Sequence, residues 1–184
     1  MQGTIDFVHT MLAGVVTESD LVVDATAGNG KDTVFMASRA EHVFAFDIQK
    51  TALKRTEARL FEAGLDNVTL IHDSHVNIPL HLNHPIKAAV FNLGYLPGGD
   101  KNVTTHAKST VTALEGVLSL LVTGGVIAFT AYPGHAEGKR EAEALERHVA
   151  GLSSRTFETL LYRSLNKTNA PYAIIVKRKQ ADED

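Results

Sequence analysis

Asp24-Ala25-Thr26-Ala27-Gly28-Asn29-Gly30 lies between a short apolar run, Leu21 to Val23, and a helical pattern that starts near Lys31. This D-x-x-x-G-x-G arrangement lets the backbone turn sharply and approach a ligand closely, because glycine adopts conformations that other residues avoid. The amides at the start of the following helix can donate hydrogen bonds to an anionic group. The motif therefore predicts a strand, a tight bend and a helix that together hold a small molecule.

Short β-branched runs alternate with helical patterns along the rest of the chain, which is typical of βαβ units and a mainly parallel sheet. The predicted strands cover residues 21–24, 43–46, 68–71, 88–91, 126–130, 156–162 and 172–176. The predicted helices are an amphipathic segment near the N-terminus, a short helix within 75–85, and residues 31–39, 51–63, 105–121 and 136–150. We therefore predict one α/β domain over residues 1–184, with a Rossmann-like, seven-stranded, mostly parallel sheet and a C-terminal antiparallel hairpin.

Two local patterns give more detailed expectations about the helices. Leu53, Leu60 and Phe61 are expected on one apolar face of the helix over 51–63. Gly124-Gly125 is expected to stop the helix before the fifth strand, because glycine commonly ends helices.

Composition excludes several classes of function. The chain has no cysteine, so disulfides, thiolate metal sites and a cysteine nucleophile are ruled out. The net charge of -3 argues against sequence-independent coating of nucleic acid, which needs many lysines and arginines. The N-terminal apolar stretch lacks a basic region and contains Asp6 and His9, so it resembles neither a signal peptide nor a membrane span. We predict a cytoplasmic protein with no membrane partner.

A second acidic residue, Asp47, follows the next predicted strand, 23 residues after Asp24. A carboxylate in this position can accept hydrogen bonds from both ribose hydroxyls of a nucleoside. Asp32, in the first turn of the helix, would repel the pyrophosphate of a dinucleotide. S-adenosylmethionine (SAM) has no phosphate and carries an ammonium and a sulfonium, so it suits these acidic residues better. SAM is the predicted cofactor, and an NAD-type oxidoreductase or a non-catalytic nucleotide-binding module remains a more distant alternative.

The predicted cofactor-binding residues follow the carboxyl ends of the first four strands. They are Asp24, Ala25, Thr26, Gly28, Asn29, Gly30, Asp32, Thr33, Asp47, Ile48, Gln49, Asp73, Ser74, His75, Asn92 and Gly94. Asp73 is placed either to meet the adenine amino group or to cap the helix that follows it.

The segment Asn92-Leu-Gly-Tyr95, at the end of the fourth strand, occupies the place where amino-methyltransferases carry Asn or Asp, Pro, Pro, Tyr. In that motif the polar side chain accepts a hydrogen bond from the target amine. Here Leu93 and Gly94 replace the prolines, which argues against a planar exocyclic base amine as the target. Tyr95 could wall the pocket. A purely structural turn is the alternative.

Two further residues are candidates for catalysis. An alkylamine with a pKa of about 10, by analogy with lysine, must lose a proton before it can attack. His135, in the turn Tyr132-Pro-Gly-His135, or Asp100 could accept that proton directly or through water. The predicted catalytic residues are thus Asn92, Tyr95, His135 and Asp100.

The segments DATAGNGKDT (24–33), FDIQ (46–49), NLGYLPGGDK (92–101) and AYPGHAEGKRE (131–141) together resemble one bacterial family. Long labelled ribosomal-RNA methylases, it is now known as the transfer-RNA 5-aminomethyl-2-thiouridine methyltransferases of the MnmM or YtqB type. The resemblance implies the class I SAM-dependent methyltransferase fold. It also implies conversion of the wobble-position aminomethyl group to methylaminomethyl, with the tRNA anticodon stem-loop as partner.

Under this resemblance, a set of residues near the second half of the site is predicted to contact RNA: Tyr132, Pro133, Gly134, Lys101, Lys139 and Arg140. A SAM-dependent methyltransferase that acts on ribosomal RNA, a small molecule or a protein is the alternative. No histidine spacing matches a known metal motif, so no metal is predicted. The sequence leaves open whether the protein is a monomer or a homodimer.

Overall fold

A computed structural model of the protein describes residues 2–94, 98 and 104–180. The strands are β1 Leu21–Asp24, β2 His42–Phe46, β3 Val68–Ile71, β4 Ile86–Asn92, β5 Leu121–Ala131, β6 Phe157–Tyr162 and β7 Tyr172–Arg178. The helices are α1 Thr4–Ala13, α2 Lys31–Ala37, α3 Lys50–Ala63, α4 Ile78–His81, α5 Ala107–Leu120 and α6 Ala136–Ala150, with a 3-10 turn at His75–Asn77 before α4.

The strands form one seven-stranded sheet in the order β3-β2-β1-β4-β5-β7-β6. β1 to β5 pair in parallel, and β7 pairs antiparallel with both β5 and β6. The predicted α/β fold, mostly parallel with an antiparallel C-terminal hairpin, is confirmed.

Helices cover both faces of the sheet, which explains why the central strands are apolar along their whole length. Side chains of α1, α2 and α3 pack on one face, among them Leu12, Met36 and Leu60. Side chains of α4, α5 and α6 pack on the other, among them Ile78 and Leu145. Every helix in the described part of the chain is too short or too polar to cross a membrane.

The strand order reverses between β1 and β4, since the chain moves outward from β1 to β3 and then returns to the other side of β1. Ligands of open α/β sheets bind outside the carboxyl ends of the strands at such a point. Asp24 and Asn92 end these two neighbouring strands, so the predicted site residues lie at the reversal.

The boundary between α5 and β5 differs from the prediction. α5 ends at Leu120 and β5 starts at Leu121, so Gly124 and Gly125 lie inside the strand. Gly124 has a φ of +73°, and the register against β4 shifts nearby. A Cβ on Gly125 would lie 2.8 Å from the Lys87 carbonyl oxygen. The glycines therefore permit an irregularity within the strand instead of ending the helix.

Phe61 also differs from the prediction, because its side chain is 87% exposed. The residues of α3 that are buried are Ala52, Thr56 and Leu60, spaced four apart. Phe61 follows Leu60 by one position, which is about 100° around a helix, and so it points away from the sheet.

Candidate active site

The glycine bend, residues 27–30, connects β1 to α2 and is tied to β2. Ala27 donates its amide to the Phe46 carbonyl at 2.8 Å, and Gly30 donates to the Ala27 carbonyl at 2.8 Å. Gly28 and Gly30 have φ values of +55° and +76°. A Cβ on Gly30 would come within 2.9 Å of the Thr56 Cα. The bend therefore needs glycine at position 30 both for its conformation and for the close approach of α3.

Asp47 lies directly against this bend. Its Oδ2 accepts a hydrogen bond from the Gly28 amide at 2.9 Å, and its Oδ1 accepts one from the Gln49 amide at 2.8 Å. Burial raises the pKa of Asp47, while hydrogen bonds from these two amides act in the opposite direction. Ile48, the next residue, is 51% exposed. The structure thus brings a fixed carboxylate, an exposed apolar side chain and the glycine bend together.

Asp24 supports the bend from inside the protein. Its side chain is fully buried, with Oδ2 accepting from the Thr33 hydroxyl at 2.6 Å and Oδ1 from the Thr26 amide at 3.1 Å. Burial first, and the charge of Asp32 second, raise the pKa of Asp24 to about 7. Through these two hydrogen bonds, the buried Asp24 side chain holds the main chain at Thr26 and the side chain of Thr33 in place.

Asn29, between the two glycines, is held by arginines from α3. Arg55 Nη1 donates to Asn29 Oδ1 at 3.1 Å, and Arg59 Nε donates to the Asn29 carbonyl at 2.9 Å. Ala25 is buried and its amide donates to the Val90 carbonyl at 2.9 Å, which joins the start of the bend to β4.

Asn92 is fixed at both its main chain and its side chain. Its amide donates to the Thr26 hydroxyl oxygen at 2.7 Å. Its Nδ2 makes a short hydrogen bond to Asp32 Oδ2. Asp32 Oδ1 lies 2.6 Å from His9 Nε2, and the His9 ring stacks on Phe35 with centroids 3.8 Å apart. α1, α2 and β4 therefore meet through three polar side chains.

His9 was not among the predicted site residues. A polar residue inside the apolar stretch of α1 is the only local signal of its role. Its partner, Asp32, lies 23 residues further along the chain, and no periodicity connects the two positions.

The turn after β5 supplies Tyr132 and His135. Tyr132 is half-buried, and burial together with the charge of Asp32 raises the pKa of its phenol. His135 Nδ1 accepts from the Gly138 amide at 3.1 Å and so caps the N-terminus of α6. Pro133 is partly buried and Gly134 is exposed. The structure thus shows that His135 caps α6, and its catalytic role stays a prediction.

The two ends of the loop after β4 are hydrogen-bonded to each other. Gly94 donates its amide to Thr105 Oγ1 at 2.7 Å, and Thr105 donates its amide to the Gly94 carbonyl at 3.0 Å. The Thr105 hydroxyl donates to Glu141 Oε2 at 2.8 Å, and the Thr110 hydroxyl donates to Glu141 Oε1 at 2.5 Å. Glu141 is almost fully buried, and this burial raises its pKa. We call Gly94, Thr105 and Glu141 the loop anchor.

The carboxylate of Asp73, after β3, is used within its own segment. It accepts hydrogen bonds from the Ser74 amide, from Asn77 Nδ2 and from His81 Nε2 at 2.7, 2.9 and 2.7 Å. The bond from His81 and then that from Asn77 lower the pKa of Asp73 to about 2. His75 packs edge-on against Phe91, and burial lowers its pKa to about 4. Asp73 thus makes local contacts, whereas the cap of the 3-10 turn is Ser74, whose hydroxyl oxygen accepts from the Val76 amide at 3.3 Å.

The remaining predicted residues divide into two groups. Lys139 and Arg140 are exposed on α6, where they pair with Glu143 and Glu137. Tyr95, Asp100 and Lys101 lie outside the described residues. Within the described ranges, no group of three or more histidine or acidic side chains is arranged to hold a metal ion.

A family model described as "Putative rRNA methylase" matches residues 43–178. The chain belongs to this methylase family. A relative named "tRNA (mnm(5)s(2)U34)-methyltransferase, chloroplastic", from Arabidopsis thaliana, is 32% identical over 186 residues, which cover 94% of this chain and 68% of that protein. The resemblance stated from the sequence motifs is confirmed.

Solved structures of other methylases agree with this assignment. A "putative rRNA-methylase" from Clostridium thermocellum has 37% identity and a TM-score of 0.94, over 97% of this chain and 98% of its own. SMU.1697c from Streptococcus mutans, "a putative methyltransferase" in complex with S-adenosylhomocysteine (SAH), has 35% identity and a TM-score of 0.91, over 97% of this chain and 99% of its own. The prediction of a methyltransferase is therefore confirmed.

Proposed function

We propose that this methylase transfers a methyl group from SAM to the primary amine of 5-aminomethyluridine, or its 2-thio form, at the wobble position of tRNA. The observation that carries the proposal is the hydrogen-bonded unit at the ends of β1, β2 and β4. In this unit, Asp47 accepts a hydrogen bond from the Gly28 amide of the bend, and the main-chain amide of Asn92 donates to the Thr26 hydroxyl oxygen just before the bend. The named activity of the Arabidopsis relative supports the substrate.

The residues at the bend fit SAM. Gly28 and Gly30 allow the positive φ values of the bend, and the absence of a Cβ at Gly30 leaves room for Thr56 of α3. Asp47 is already oriented by two amides and has lone pairs left for the ribose hydroxyls. Ile48 offers an exposed apolar surface for the adenine ring. SAM supplies an electrophilic methyl group, and the predicted cofactor agrees with the SAH complex of the Streptococcus mutans relative.

Asn92 is the residue that we expect to hold the target amine. The amine must be neutral to attack, because its lone pair forms the new bond. An oxygen acceptor at Asn92 can take one N–H of the amine and leave the lone pair free. Most of the acceleration is expected from this alignment, which needs no strong base. His135 Nδ1 already accepts from Gly138, so we expect the proton to leave through water.

The RNA is expected to approach over the turn after β5 and the start of α6. Tyr132, Pro133 and Gly134 precede α6, and Lys139 and Arg140 are exposed on it. Lysine and arginine at such positions can contact phosphates of an anticodon stem-loop without reading its sequence. The cytoplasmic location stays a prediction, and the oligomeric state, monomer or homodimer, stays open.

The test is incubation with labelled SAM and tRNA from cells that lack the terminal wobble methylation, followed by digestion and identification of the nucleoside. Label in 5-methylaminomethyl-(2-thio)uridine is the expected result. An unmodified transcript of the same tRNA, which has no aminomethyl group, is the matched control and should remain unlabelled. Label only in a different nucleoside, or no label in the tRNA, would contradict the proposal.

A further inference from the structure

Asp32 occupies the junction of three elements that are distant in sequence. It is 9% exposed, in the first turn of α2. One carboxylate oxygen accepts from the side-chain amide of Asn92, and the other lies 2.6 Å from His9 Nε2. Each carboxylate oxygen thus already has a partner within the protein.

An ionised carboxylate can only accept hydrogen bonds. The Asn92 amide must therefore direct its NH₂ group toward Asp32 and its Oδ1 away from it. Without this partner the amide could rotate by 180°, because the terminal torsion of asparagine is broad and roughly two-fold. The orientation matters for the chemistry. A flipped NH₂ group would donate to the lone pair of the target amine, and that lone pair would no longer be available for attack.

We propose that Asp32 is a positioning residue that keeps Asn92 Oδ1 directed at the target amine, and that His9 keeps Asp32 in place. This inference rests on the proposed function, since it concerns how the same site selects a nucleophile that has an N–H to donate. The stacking of His9 on Phe35 fixes the imidazole plane. α1 therefore contributes to the part of the site that orients the target amine, although α1 lies outside residues 43–178, which the family model matches.

The central experiment exchanges the two partners. Asp32→Asn removes the acceptor-only partner, and Asn92→Asp places two carboxylates together, so each should lower kcat by about 10- to 100-fold. The double variant Asp32→Asn/Asn92→Asp reverses the hydrogen bond. The amide at position 32 then donates to the carboxylate at position 92, whose second oxygen can accept from the amine. We expect kcat of the double variant to exceed that of both single variants.

Two readouts separate positioning from other roles. If Asp32 acts on Asn92 and does not make the contact with SAM that the sequence predicts, Asp32→Asn changes kcat while the SAM dissociation constant stays within about threefold of wild type, and the shape of the pH profile of kcat is unchanged. A shifted profile in Asp32→Asn would mean that Asp32 accepts the proton, and this would overturn the proposal. The absence of recovery in the double variant would also overturn it.

His9 provides a graded test. His9→Ala removes the partner of Asp32 and should lower kcat by about three- to tenfold, whereas His9→Gln keeps a donor and should recover most of that loss. His42→Ala is the matched control, because His42 pairs with Thr69 on β2 and β3 at 2.8 Å, away from the site. Equal kcat in His9→Ala and wild type would contradict the role of His9.

A spectroscopic measurement keeps this inference separate from the proposed function. The side-chain ¹⁵N–¹H signals of Asn92, assigned by their loss in Asn92→Asp, should shift in Asp32→Asn without any substrate present. Unchanged signals would overturn the positioning role. If the wild-type protein fails to methylate aminomethyl tRNA but the Asn92 signals still shift in Asp32→Asn, only the proposed substrate is contradicted.

Discussion

The cofactor side of the site, comprising the glycine bend, Asp24 and Asp47, differs in its construction from the acceptor side, comprising Asn92, Asp32, His9 and the loop anchor. On the cofactor side, carboxylates accept from main-chain amides of Thr26, Gly28 and Gln49. On the acceptor side, polar side chains from α1, α2, α5 and α6 contact one another. The cofactor side is therefore rigid by backbone geometry, and the acceptor side depends on how the helices pack.

This difference means that changes on the two sides should separate cofactor affinity from turnover. Backbone changes at the bend should disturb SAM binding and stability together. Side-chain changes around Asn92 should leave SAM binding nearly intact and slow the reaction.

The largest effect is expected from Gly30→Ala. The substitution strains a φ of +76° and places a Cβ 2.9 Å from the Thr56 Cα, so the free energy of unfolding should fall by about 3 kcal/mol or more. Urea unfolding measures the stability, and calorimetry should show weakened SAM binding. Gly64→Ala is the matched control, because its φ is +65° with nothing within 4 Å. A loss of about 1 kcal/mol is expected there. Equal losses would show that α3 does not restrict the bend.

Asp47→Ala and Asn92→Ala should divide the two functions. Asp47→Ala removes the carboxylate that orients the amides of Gly28 and Gln49, and SAM binding should weaken by about 100-fold. Asn92→Ala should leave the SAM dissociation constant within about threefold and lower kcat by about 100-fold. Calorimetry and single-turnover methylation measure the two quantities. A similar loss of both in each variant would contradict separate roles.

A smaller effect concerns pH and Asp24. Its pKa of about 7 in the folded protein lies above the ordinary value of 3.8, so the folded state binds the proton more tightly. The free energy of unfolding should therefore fall as pH rises between those values. Asp24→Asn should reduce this slope because it removes the carboxyl group that titrates, while its amide can still donate to the Thr33 hydroxyl oxygen. Urea unfolding at pH 5, 6, 7 and 8 measures it.

Asp20→Asn is the control for the pH series. Asp20 precedes β1 at its opposite end and accepts hydrogen bonds from Thr17. This variant should keep the wild-type slope, and an unchanged slope in Asp24→Asn would show that Asp24 is ionised over the whole range.

The smallest effect is expected from Lys139→Ala and Arg140→Ala. Each removes an exposed cation on α6. The dissociation constant for tRNA should rise, but by less than about tenfold, and the slope of log affinity against log salt concentration should become shallower by about one for each residue. SAM binding should not change. Lys87→Ala, at the start of β4 and away from α6, is the control. An unchanged salt dependence would place the RNA elsewhere.

The cofactor side could be predicted from the sequence because its determinants are local. The bend, Asp24 and Asp47 lie at strand ends within a short stretch, and glycine at positions 28 and 30 has a direct conformational cause. The prediction for β5 was less accurate, because Gly124 and Gly125 can end a helix or permit a bulge, and only pairing with β4 decides between them.

The acceptor side could be predicted only in part. Asn92 follows a recognisable strand, but the contact between His9 and Asp32 depends on the packing of α1, which no local pattern specifies. The position of Glu141 is a usable sequence signal. It lies four residues before Leu145 and eight before Val149, on the buried face of α6. A lone carboxylate at such a position indicates a buried partner, here the Thr105 and Thr110 hydroxyls.

The loop anchor has a consequence for how the chain tolerates insertions. Gly94 and Thr105 exchange two hydrogen bonds, which hold together the two ends of the segment between them. Lengthening a segment whose ends are held together has a small entropic cost, about 0.6 kcal/mol for each doubling. Insertions between Gly94 and Thr105 should therefore cost little stability, because they leave the contacts of the loop anchor and the Asn92 amide in place.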